Sequence, residues 1–217
     1  MNKLVVLLAF TVPNLPGSPL LYHTLIYFMH DIEPYYNWQG LYVASEDERS
    51  PFFGREYSEF EFTGKVYNYL LHPQWDYIGS ETLYLKLLFT DYDKGFCIIE
   101  LIGEWNDCLY NDIMFLYRNV IETLLENGIR KYILIGENVL NFHYSEDDYY
   151  QEWFDELEEG WIVCLNFRGH VKQEFEAGHL DYYMAMGGNF DSLPWRTASP
   201  EKLFFIVEQL ITRRLNP

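Results

Sequence analysis

The chain is poor in positive charge. Fifteen Lys+Arg stand against 33 Asp+Glu in 217 residues, for a formal net charge of -18. No local cluster of lysine and arginine offsets this, so the chain repels phosphate backbones. Nucleic acid and anionic membrane surfaces are therefore excluded as partners, while a basic protein, a metal ion or a neutral ligand stays open. Cysteine is also scarce. Cys97, Cys108 and Cys164 are far apart and none forms a CxxC. That excludes a disulfide framework and reads as three buried thiols in a reducing compartment, hence a cytoplasmic protein. No run approaches the ~18 apolar residues of a membrane span.

Signatures of catalysis are missing as well. There is no Gly-x-Ser-x-Gly elbow, no His-Glu-x-x-His pair and no glycine-rich dinucleotide pattern. Gly136-Glu-Asn and Gly187-Gly188-Asn189 are not phosphate cradles. No cofactor is expected.

What is present is an alternation of apolar runs and amphipathic stretches. Gly95-Phe-Cys-Ile-Ile-Glu-Leu-Ile-Gly103 reads as a buried strand. From Asp107 to Asn127, Leu109, Ile113, Leu116, Val120, Ile121 and Leu124 keep one helical face apolar. Asn106 or Asp107 suits the cap of this helix, and Gly128 suits the left-handed residue that ends it. Lys131-Tyr-Ile-Leu-Ile-Gly136 is a second strand, and together these make a right-handed βαβ unit. Leu83–Phe89 precedes as the other arm of a hairpin turned by Asp91-Tyr-Asp-Lys-Gly95. A helix from Ser145 to Gly160, a strand over Trp161–Phe167, a short helix over Gly169–Glu176 and a last helix from Ser199 follow. Leu180–Met186 reads as a further short strand.

Before the hairpin the signals are weaker. Lys3–Phe10 is a continuous apolar run that reads as a strand covered on both faces. After Met-Asn-Lys it also resembles the start of a signal peptide, but no A-x-A site follows and Pro13, Pro16 and Pro19 interrupt, so the strand is favoured. Ser18-Pro19 predicts a helix from Leu20 to about Ile32, with Leu21, Leu25, Phe28 and Met29 on one side. Gln39–Ala44, Glu59–Thr63 and Val66–Leu71 read as strands. The acidic stretch 45–58 reads as a loop, with Glu46, Asp47 and Glu48 exposed, and is the candidate for a subdomain boundary. The fold class is thus α/β: a mixed sheet with a parallel βαβαβ centre and an antiparallel extension, flanked by helices, in a single domain over 1–217.

The order hairpin, helix, strand, helix, strand, helix across Leu83–Glu176 resembles the STAS domain, the fold of anti-sigma-factor antagonists and sulfate-transporter tails. The resemblance is carried by Ile98-Ile-Glu-Leu-Ile-Gly103, by Lys131-Tyr-Ile-Leu-Ile135 leading to Ser145, and by Ala177-Gly-His-Leu-Asp181. It makes 81–187 the STAS-like part and implies a partner-binding role at Ser145, where that family's antagonists accept phosphate in an Asp-Ser-Ser-Gly-like turn. Here the turn is Tyr144-Ser145-Glu146-Asp147, without glycine and with acidic neighbours. That departure predicts a structural helix cap and not a phosphoswitch.

Aromatic residues make up 19% of the chain and crowd the acidic loop. Most pack a core, but Phe52, Phe53 and Tyr57 stand beside Pro51 and Gly54 and are candidates, with Ser145, for contact with a partner. Three small groups mix imidazole with carboxylate: His30-Asp31-x-Glu33, His143 with Glu146–Asp148, and His179-x-Asp181. The leading expectation is a non-catalytic, cytoplasmic protein-interaction module with an acidic, aromatic-rich surface. Two alternatives stand beside it: a metal-dependent hydrolase using those His/Asp/Glu groups, whose metal sequence leaves unknown, and an acidic protein that neutralises a basic partner.

Overall fold

A computed structural model describes residues 5–9, 24–29, 32–58 and 60–215. Its centre is a five-stranded sheet in the order β5-β6-β7-β8-β9, formed by Asp76–Tyr77, Leu83–Asp91, Phe96–Asn106, Lys131–His143 and Trp161–Leu165. β5, β6 and β7 are antiparallel neighbours, whereas β7, β8 and β9 run parallel. The fold is the mixed α/β sheet that the sequence predicts.

The parallel part follows from alternation within continuous apolar runs. Cys97, Ile99, Leu101, Tyr132 and Leu134 face one way, into a core completed by Leu116, Val120, Leu124, Trp153 and Phe175. Ile98, Ile133, Ile135, Val163 and Leu165 face the other way, against Leu203, Phe204, Val207 and Ile211. The latter four belong to the terminal helix Pro200–Leu215. Helices on both faces explain why Ile99, Leu101, Ile133 and Ile135 are each completely buried. Gly103 at the strand bulge is required sterically: its φ is +120°, and a Cβ there would meet the Thr82 carbonyl oxygen at 2.1 Å.

The crossover from β7 to β8 is not the one continuous helix expected. It comprises α1 (Asp107–Tyr110), α2 (Asp112–Leu116), a π-helical turn (Tyr117–Ile121) and α3 (Glu122–Glu126). The break lies at Asn111, whose left-handed φ of 52° ends α1; asparagine tolerates this conformation better than most residues. Leu109, assigned to the apolar face by spacing, is swung out and is 76% exposed. Cys108 is exposed as well, so only Cys97 and Cys164 are the buried thiols expected. After β8 come α4 (Asp148–Asp155) and, after β9, α5 (Gly169–Ala177); the Pro200–Leu215 helix is α6.

A second sheet has the order β1-β2-β4-β3, from Val5–Ala9, Thr24–Met29, Tyr69–Leu70 and Lys65–Val66. Here the helix expected over Leu20–Ile32 is corrected: Thr24–Met29 is a strand antiparallel to β1, and the rest of that stretch, save Ile32, lies outside the described residues. Thr, Ile, Tyr and Phe in that segment suit a pleated surface, and pairing with β1 overrides the helical spacing. Val66–Leu71 is not one strand but a tight hairpin turned at Tyr67, with φ 53°. Gln39–Ala44 forms turns, residues 60–64 form no strand, and Leu180–Tyr182 is a 3₁₀ turn after which Ala185 alone bridges to Val163.

Residues 45–58 are irregular, as expected, but packed. Phe52 is 1% exposed and shares the helix-side core with Leu87 and Ile121. Glu46 and Glu48 are exposed, whereas Asp47 is partly buried and accepts hydrogen bonds from the hydroxyls of Tyr42 (3.0 Å) and Tyr92 (2.6 Å). Two phenols replace the water that the sequence reading assigned to this carboxylate.

Candidate partner-binding site

At the carboxyl ends of β7 and β8 the chain makes two abrupt turns. The first is held by buried carboxylates. Asn106 ends β7, and its Oδ1 accepts from the Leu109 N–H at 3.0 Å, capping α1. Asp112 Oδ1 accepts from the Ser80 hydroxyl (2.6 Å), and its Oδ2 from the Thr82 hydroxyl (2.8 Å) and the Asn106 N–H (2.7 Å). Asp107 Oδ1 accepts from the Trp105 indole (3.1 Å) and the Ile113 N–H (2.9 Å), while its Oδ2 accepts from the Tyr150 hydroxyl (2.6 Å). Burial pushes the Asp107 carboxyl up to about 6, against these hydrogen bonds, and raises Asp112 in the same direction. Both groups are braces: their bonds tie the α1 turn to β7, to the loop ahead of β6, to α2 and to α4.

The second turn is Tyr144–Asp147, ahead of α4. The two turns are linked by the Cys108 thiol, which donates to the Tyr144 carbonyl oxygen. Between them lies a cavity of about 270 Å³, lined among others by Cys108, Leu109, Ser145 and Tyr149. Its ionisable carboxyls are Asp107, Glu146 and Asp148, and no lysine or arginine lines it. Leu109 is part of its wall, and the next residue, Tyr110, is 38% exposed. An apolar knob beside an acidic hollow offers a partner contact area and a negative potential together.

The four residues proposed from sequence do not meet in one place. Ser145 is exposed and lines this cavity, but it is not a helix cap: α4 starts at Asp148 with Asp147 as its N-cap residue. The Asp147 carboxylate is drawn away to accept from the Tyr183 hydroxyl at 2.8 Å. Tyr57 lies elsewhere, half-buried beside a different pocket, donating to Asp76 at 2.6 Å under the Lys86 ammonium. Phe53 is 55% exposed, whereas Phe52, expected at the surface, is buried in the core and offers a partner nothing. The alternation at this point of the loop turns one ring inward and its neighbour outward.

Sequence spacing missed Leu109 and Tyr110, because a helical wheel assumes an unbroken helix; the Asn111-Asp112 pair was the available signal. The imidazole groups likewise disperse. His143 Nε2 lies 2.8 Å from Glu104, His170 Nε2 lies 2.7 Å from the Leu140 carbonyl oxygen, and His179 is exposed. His30 and Asp31 lie outside the described residues. Among the described residues no three His, Cys, Asp or Glu side chains are grouped to hold a metal ion. No described helix is long and apolar enough to cross a membrane.

No family model matches the chain, and no curated protein matches it. Among solved structures, the anti-sigma factor antagonist SpoIIAA in its unphosphorylated form is similar at 16% identity and a TM-score of 0.40, over 58% of this chain and 96% of that one. The Bacillus cell fate determinant SpoIIAA in its phosphorylated form is similar at 16% identity and a TM-score of 0.36, over 57% of this chain and 98% of that one. Anti-sigma-factor antagonists are the proteins whose fold the element order of Leu83–Glu176 resembles. At these scores the likeness carries no functional weight.

Proposed function

We propose that this protein is an interaction module that docks a basic protein segment at the carboxyl ends of β7 and β8. One observation carries this reading: Leu109, 76% exposed, stands beside a cavity whose ionisable carboxyls come from Asp107, Glu146 and Asp148. An exposed leucine next to an acidic hollow suits a segment with an apolar anchor followed by lysine or arginine. The net charge of -18 would steer such a segment from a distance. Ser145 is a contact residue in this reading and Phe53 a second, outlying one. The absence of a disulfide between the three cysteines is in keeping with a cytoplasmic setting.

The test is affinity capture from the native host with three baits: the wild type, Leu109→Glu, and Glu146→Lys combined with Asp148→Lys. Proteins retained by the wild type should be lost from both variants, and their retention should weaken steeply with added salt. Identical proteins on all three baits would remove this surface from the interaction.

A further inference from the structure

The second candidate site is an aromatic cavity beside the β5–β6 pair. Trp75, Tyr77 and Tyr84, with His72, Leu71 and Gly64, line a space of about 300 Å³. That is the lower end of the range for small-molecule pockets. Trp75 and Tyr84 are nearly buried, at 5% and 6% exposure, and Tyr77 forms the open wall at 52%. The Tyr77 and Tyr84 rings meet at a corner, with centroids 6.0 Å apart and planes inclined by 49°. Gly64 lets the backbone come close to this corner, since a Cβ there would touch the Tyr84 ring at 3.0 Å.

The polar end of each ring is already engaged. The Trp75 indole N–H donates to the Ile32 carbonyl oxygen at 2.8 Å. The Tyr77 hydroxyl donates to the Gly79 carbonyl oxygen at 3.0 Å, and the Tyr84 hydroxyl accepts from the Lys65 N–H at 3.3 Å. His72 Nδ1 accepts from the Gln74 N–H at 3.4 Å, and its Nε2 faces Glu33 at 3.4 Å. Apart from the Tyr84 O–H and the Thr63 hydroxyl, what remains for an occupant is π surface. No lysine or arginine lines the space, Glu33 pairs with the lining His72, and Glu81 adds negative charge near Tyr84. A ligand rich in hydrogen-bonding groups would lose most of its water here with only these two hydroxyls to replace it. A soft cation that hydrogen-bonds poorly, and is drawn to ring faces, would not.

We infer that the Trp75–Tyr77–Tyr84 cavity binds an alkylammonium group, presented either by a free quaternary amine or by a methylated lysine side chain. The experiment titrates the full-length protein with choline, with 3,3-dimethylbutan-1-ol as its uncharged isostere, and with a short peptide carrying trimethyllysine. Binding is followed by calorimetry and by tryptophan fluorescence. Choline or the peptide should bind about tenfold or more tightly than the isostere, as a desolvated cation–π contact requires. Tyr77→Leu should abolish that preference, and Tyr182→Leu, at an exposed tyrosine outside the cavity, should leave it intact. Because Tyr77 is half-exposed, its replacement spares the fold, which circular dichroism would verify. Choline binding as tightly as the peptide assigns the free amine, and a much tighter peptide assigns the modified lysine. Equal binding of choline and its isostere, no binding of either cation, or a preference that survives Tyr77→Leu would overturn the inference.

Discussion

The backbone N–H of Tyr35 donates to the carboxylate of Glu100 at 2.8 Å, joining positions 65 residues apart. Glu100 sits in the middle of β7, 1% exposed, on the face that α6 covers. This bond ties the segment that follows β2 to the centre of the main sheet. Arg196 stands 3.5 Å from the other carboxylate oxygen and also pairs with Glu137.

Burial pushes the Glu100 carboxyl from its ordinary 4.5 up to about 7; the Tyr35 N–H and Arg196 oppose this and Glu137 reinforces it. Folding thus raises the pKa of an acid, so between 4.5 and 7 the folded chain holds a proton that the unfolded chain has lost. The associated stability is fully present below 4.5 and disappears as the pH rises through 7. Glu100→Gln should remove this dependence, for a difference between variant and wild type on the order of 3 kcal/mol across the window. Urea midpoints measured at half-unit steps from pH 4 to pH 8.5 check it. Parallel curves for the two proteins would mean that Glu100 keeps an ordinary pKa.

Asp112 should be the more sensitive carboxylate to truncation. Two hydroxyls and one backbone N–H donate to it, and it is wholly buried. Asp112→Ala strands these donors, at about 1–3 kcal/mol for each that finds no other partner. Asp112→Asn keeps one acceptor oxygen and should cost less than half as much. Thermal unfolding of both variants tests the order, and equal losses would show that the donors are satisfied elsewhere.

Much of this fold was legible because its strands are buried on both faces. A strand such as Cys97–Leu101 or Tyr132–Ile135 is apolar at nearly every position, and that leaves little choice of place. Thr24–Met29 was misread because Leu21, Leu25, Phe28 and Met29 are also spaced as a helix would space them. What decides between the two is pairing with Val5–Ala9, a relationship outside the local window. The candidate site was legible only at Ser145. Leu109 depends on one left-handed residue at Asn111, and Asp107 and Asp112 look like ordinary acids of a helix start until their donors from distant strands and helices are known.

The loop 45–58, proposed from sequence as a subdomain boundary, offers a direct test of its own packing. Phe52 is buried, the Arg49 guanidinium lies 3.6 Å from the centre of the Tyr92 ring, and Asp47 is held by two tyrosines. Phe52→Ala should cost about 3–5 kcal/mol, the ordinary loss for a buried phenylalanine. Limited proteolysis should spare 45–57 in the wild type and cut there in the variant. Early cleavage of the wild type within this stretch would restore it as a boundary.

Ser145 and Asp147 separate two accounts of the turn before α4. A serine cap would make Ser145→Ala cost about 0.5–2 kcal/mol. The helix instead begins at Asp148, Ser145 is exposed, and no hydrogen bond from its hydroxyl supports the first turn. Ser145→Ala should therefore change stability by less than about 0.5 kcal/mol, as for other surface sites. Asp147→Ala should cost more, about 1 kcal/mol, because it frees the Tyr183 hydroxyl that donates to it at 2.8 Å. Asp147→Asn, which keeps an acceptor, should recover most of that loss. A phosphate on Ser145 would face Glu146, Asp147 and Asp148, and no arginine lines the adjoining cavity to hold it. Protein purified from its native host should accordingly show no phosphate on Ser145 by intact mass and peptide mapping. A Ser145→Ala loss above about 1 kcal/mol would put the cap back at Ser145, and substantial phosphate there would make this turn a switch in place of a fixed contact surface.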